Sequence, residues 1–65
     1  MWGKMGFTVL WYGKNGLLDN TKFDDERTAK SHALDTFAAR KRDFGVVSVE
    51  VRKENSGEVV FSHAG

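Results

Sequence analysis

The chain has 65 residues, a formal charge of +1, and neither cysteine nor proline, which leaves room for one domain and excludes disulfide staples and thiolate metal sites. The near balance of charge argues against a non-specific DNA coater and equally against an acidic DNA mimic, which needs a large negative excess. No apolar run reaches the length of a membrane span and the first residues lack the apolar stretch of a signal peptide, so a cytoplasmic location is expected.

A domain this short buries only about 60% of its unfolded surface. The eight aromatic residues (two Trp, one Tyr, five Phe) must therefore supply much of the core. Met1 to Gly6 reads as a lead-in, with Trp2 as a lid over one end of the core. Phe7 to Tyr12 (FTVLWY) then alternates Phe7, Val9 and Trp11 against Thr8, Leu10 and Tyr12, the period of a strand with one buried face. Gly13-Lys14-Asn15-Gly16 has the composition of a tight hairpin turn. Leu17 to Lys22 (LLDNTK) is the return strand, polar after Leu18 as an edge strand should be.

Phe23 to Gly45 is the one segment with a sustained helical period. Asp24 is the expected cap, Asp25 and Glu26 complement the dipole of the first turn, and Arg40, Lys41 and Arg42 complement the last. Gly45 is placed to stop the helix in a left-handed conformation. Ala29, Ala33, Phe37 and Phe44 fall on one stripe, with Leu34 at its border. Thr28, Ser31, His32, Asp35 and Arg42 lie opposite. An amphipathic helix of this length needs a sheet to cover it.

Val46 to Lys53 (VVSVEVRK) is the third strand, with Val47, Val49 and Val51 inward. Glu54 to Gly57 is a turn. In the last strand, Glu58 to His63, Val59 and Phe61 are expected inward and Val60 and Ser62 outward. The fold class is α+β: a single ββαββ domain over 1–65, with strands at about 7–12, 17–22, 46–53 and 58–63 and a helix at about 25–43. The two most apolar strands belong at the centre, which gives a four-stranded antiparallel sheet of order 2-1-3-4 with the helix packed on one face.

No catalytic constellation emerges. Asp24, Asp25 and Glu26 are consecutive at a helix start and diverge around its axis. Ser31-His32 and Ser62-His63 are chain neighbours without a third group to orient the base. No glycine-rich phosphate loop precedes the helix, and two histidines do not close a zinc site. The expectation is a non-enzyme without cofactor or metal.

Binding is the better expectation. The outer sheet face should carry Thr8, Leu10, Tyr12, Ser48, Glu50, Arg52, Val60 and Ser62, a mixture that interface cores favour. Leu10, Tyr12 and Val60 would form an apolar patch there, with Arg52 beside it. Arg40, Lys41 and Arg42, joined by Arg52 and Lys53, would form a positive pole. Asp19, Asp24, Asp25 and Glu26 would form a negative one. The expected partner contacts are Leu10, Tyr12, Arg52, Val60, Arg40, Lys41 and Arg42.

The closing third, VVSVEVRKENSGEVVFS, is similar to the last hairpin of small uncharacterised bacterial ββαββ domains, and the small residues of the helix at Thr28-Ala29 and His32-Ala33 are similar to theirs. The plan as a whole also resembles some phage-encoded anti-CRISPR proteins, which are free-standing, cysteine-poor chains of this size. That resemblance covers size and architecture rather than a motif. It implies a phage or mobile-element inhibitor that binds a host type I CRISPR surveillance complex, a ribonucleoprotein, and occludes its DNA-binding site. Two other readings stand beside it: a small nucleic-acid-binding module using the positive pole, and a structural homodimer.

Overall fold

The computed structural model describes residues 6–65; Trp2, expected as a lid, lies outside them. Strands β1 (Phe7–Gly13) and β2 (Gly16–Phe23) form a hairpin, helix α1 spans Glu26–Phe44, and strands β3 (Ser48–Lys53) and β4 (Val59–Ala64) form a second hairpin. The sheet order is β2-β1-β3-β4 and every neighbouring pair is antiparallel, the expected plan.

The alternation in β1 settles which face is dry. Phe7, Val9 and Trp11 are buried, as are Val49 and Val51 of β3 opposite them. Ala29, Ala33 and Phe37 of α1 close over this surface, the two alanines allowing the helix to lie close. The helix packs mainly on β1 and β3, then β2, so the centre of the sheet is covered best.

The helix caps itself one residue later than the sequence pattern implies. Asp25, not Asp24, is the N-cap, with extended backbone, and its carboxylate accepts from the Thr28 N–H and the Thr28 hydroxyl, both at 2.8 Å. Gly45 ends the helix at φ 73° and its N–H returns to the Arg40 carbonyl; a side chain there would be strained.

Three expectations about the valines and Phe44 are corrected. Val46 enters the core and Val47 is exposed, because residues 45–47 are not strand and the alternation begins only at Ser48. In β4 the register slips between Val51 and Arg52, so Val60 is an extra residue: it packs against the core cluster instead of facing out, while Val59 is exposed instead of inward. Phe44 lies on the apolar stripe but is 66% exposed. Its ring borders a groove with Leu18 and Asp19 of β2 and is not part of the core cluster.

Candidate protein interface

The open face of the sheet carries the residues expected there, with one exception. The register aligns Leu10 with Glu50 and Asn20, Thr8 with Arg52 and Lys22, and Tyr12 with Ser48. The face is stitched by charge rather than capped by an apolar patch. Glu50 Oε1 accepts from the Tyr12 hydroxyl at 3.3 Å and from Arg52 Nε at 3.0 Å. Glu54 accepts from the Thr8 hydroxyl at 3.0 Å and lies 3.9 Å from Lys22 Nζ. Leu10 is half-buried among these groups. Val60 is two strands away from β1 and turned to the core, so no patch of Leu10, Tyr12 and Val60 forms.

The expected charge dipole is also overturned, by topology. Phe7 pairs with both Lys53 and Phe23, so Arg52 and Lys53 lie at the end where the helix starts. Arg40, Lys41 and Arg42 lie at the other end, where the helix stops. Asp19, expected at the negative pole, sits beside Arg40 instead: Arg40 Nη1 is 2.9 Å from Asp19 Oδ2. The Arg40 guanidinium also lies 4.9 Å above the Trp11 ring and 5.8 Å from the Phe44 ring, a cation–π seat that holds it against the molecule. Lys41 and Arg42 are exposed, and Arg42 pairs with its neighbour Asp43.

The hairpin end of the molecule holds a surface that the sequence reasoning passed over. The β1–β2 register slips between Trp11 and Tyr12, where Trp11 faces Asp19 and Tyr12 faces Leu17. Leu18 is therefore the extra residue, pushed out of the ladder. Leu17 is 53% and Leu18 50% exposed, and Val47 is exposed where its N–H bonds the Tyr12 carbonyl. Leu18, Asp19, Arg40, Phe44 and Val46 line a groove of about 350 Å³. The Asp19–Arg40 pair forms its polar wall, and Leu18, Phe44 and Val46 its apolar ones. One signal was available: adjacent leucines at the start of an alternating strand cannot both face the core.

Two carboxylates are shifted by the groups that donate to them. Asp19 is held below the usual carboxylate range, first by the hydrogen bond from Arg40 and then by the Asn20 N–H. Asp25 is lowered by the Thr28 N–H and then by the Thr28 hydroxyl. His32, expected on the polar side, packs against Phe23 (centroids 4.9 Å) and Trp11 (6.1 Å). His32 Nε2 and Trp11 Nε1 are buried without a hydrogen-bond partner. His63 rests edge-on against Phe37 at 4.7 Å. Among the described residues no three His, Asp or Glu side chains converge as metal ligands, and no helix is long and apolar enough to cross a membrane. No family model matches the chain, and no curated protein or solved structure is significantly similar to it.

Proposed function

We propose that this domain is a non-catalytic protein-binding module that docks a partner at its hairpin end, taking an apolar side chain of that partner into the groove between Leu18 and Phe44. The observation that carries this reading is Phe44, an aromatic ring 66% exposed at the end of a core helix, sharing a groove with the half-exposed Leu18 and with Val46. A contiguous apolar surface rimmed by polar groups is what protein interfaces present. Arg40 and Asp19, paired in the groove wall, would orient a polar rim on the partner. Tyr12, next to the hairpin turn, and Arg42 at the helix end are the polar contacts this reading assigns.

The partner we propose is a host protein or ribonucleoprotein, and the role is that of an inhibitor which occludes a nucleic-acid site. Size, the ββαββ plan and the resemblance to anti-CRISPR proteins support a type I surveillance complex as that target. The near-neutral charge supports occlusion of a protein surface over imitation of DNA. The nucleic-acid reading loses support, because Arg52 and Lys53 are at the far end from Lys41 and Arg42 and Arg40 is already paired.

The test is target-DNA binding by a purified type I surveillance complex with and without the domain, measured by gel mobility. Inhibition by the wild type that is lost in Phe44→Asp and in Leu18→Ser is expected. If both variants inhibit as the wild type does, the groove is not the contact surface. Binding of the domain itself to DNA, weakening steeply with salt, would restore the nucleic-acid reading.

A further inference from the structure

The two edges of the sheet are not equivalent. β2 carries Asp19 and Lys22, and its bulge at Leu18 breaks the ladder near the turn; these are the usual guards against edge-to-edge pairing. β4 (VVFSHA) has no acidic or basic residue apart from His63, and its bulge is confined to the Val59–Val60 end. From Phe61 to Ala64 the strand is in regular register with Val51 to Ser48.

The hydrogen-bond phase of β4 is known at both ends. Lys53 N–H donates to the Glu58 carbonyl at 2.9 Å, and Gly65 N–H donates to the Val47 carbonyl at 3.3 Å. Alternation between them turns the backbone groups of Phe61 and His63 toward β3. The N–H and C=O of Ser62 and Ala64 face outward. The helix flank above this edge is thinly covered. Leu34 is 52% exposed and lies three and seven residues from Phe37 and Lys41 on the same helical row. Phe61, although it pairs with the buried Val51, is only half-buried.

We infer that β4 pairs antiparallel with β4 of a second copy of this chain, about a two-fold axis through His63, to make a continuous eight-stranded sheet. A second copy meets this edge in phase. The outward groups of Ser62 and Ala64 are spaced equally about His63, so Ser62 of each copy meets Ala64 of the other and all four hydrogen bonds close. The pairing sets no fixed charge against its like. Phe61 falls opposite Gly65 of the second copy, where that copy's own Phe37 ring stands 2.8 Å from the position a Cβ would take, so the two rings meet. Phe37, Phe61 and Leu34 then extend the apolar layer across the axis. This edge is the one opposite β2 and the groove, so the inference stands apart from the partner reading above.

Sedimentation of the full chain over a concentration series tests it. The wild type is expected to reach dimer mass at or below about 1 mM and to show an unfolding midpoint that rises with concentration. Ser62→Pro removes an outward N–H that β3 does not use, so it should remain folded by circular dichroism and become monomeric. His63→Lys and His63→Glu put like charges together at the axis. Each alone should be monomeric, and an equimolar mixture should form a heterodimer. The mixing result decides the matter even if the proline variant fails to fold. A wild type that stays monomeric to about 1 mM overturns the inference. So does a dimer that survives both single His63 variants, or a mixture that does not associate.

Discussion

The two faces of the sheet are built on the same period-two alternation and end as different materials. On the helix side of β1 and β3, Val9, Trp11, Val49 and Val51 are fully buried and contribute through shape. On the open side, Tyr12, Glu50 and Arg52 share one carboxylate oxygen, and Thr8 and Lys22 share another at Glu54. The first face holds the domain together. The second is a set of exposed and half-exposed ion pairs, each worth little in water. The lesson is that a strand with period-two alternation can place its apolar packing and its polar network on opposite sides without either constraining the other.

The largest effect that would sharpen this contrast is Trp11→Ala. It should cost about 3–5 kcal/mol, a large share of the roughly 5–15 kcal/mol that holds a domain together, and the urea midpoint should collapse accordingly. Ala33→Leu attacks the same face by overfilling it. Ala33 is fully buried under the helix, so a loss of about 1–3 kcal/mol is expected from the same denaturation curve.

His32→Leu should act in the opposite direction and stabilise by about 1 kcal/mol, because its Nε2 is buried without a partner and leucine removes that cost. A loss of stability would mean that the imidazole contacts to Phe23 and Trp11 outweigh the unsatisfied nitrogen. On the open face, Glu50→Gln should cost less than about 1 kcal/mol, and the difference should shrink at high salt. A cost equal to that of Trp11→Ala would erase the distinction between the faces.

The smallest effect is a pH slope. Asp19 and Asp25 are both lowered in the folded state, so the stability they contribute is complete above the unfolded carboxylate value and is lost as the pH falls through their lower folded values. Thermal melts below about pH 4 should therefore drop less in the double variant Asp19→Asn, Asp25→Asn than in the wild type. Asparagine keeps the cap at position 25 and removes the titration.

Most of the fold was legible because its signals are local and redundant. The strand period of FTVLWY and SVEVRK, the turn residues around Asn15, the acidic helix start and the glycine at its end all agree. What escaped depends on relations between elements. The exposure of Phe44 depends on which strand lies beside the last helical turn, and that is not visible in the helix alone. The bulges that expose Leu18 and turn Val60 inward are register events between two strands. The pole of Arg40 to Arg42 with Arg52 failed because antiparallel order sends the two groups to opposite ends. Arg40 looked like a solvent-facing cation because the Trp11 ring and Asp19 that hold it come from β1 and β2.

One consequence concerns how this sequence can change. A Cβ built on Gly13 would stand 2.9 Å from Leu18 Cδ1, so the bulged leucine occupies the room that the glycine leaves empty. The two positions are coupled. Gly13→Ala would make the half-exposed Leu18 side chain swing aside, which reshapes one wall of the groove. A lineage that drifts at Gly13 can keep its leucine at position 18 and still lose the present shape of the groove.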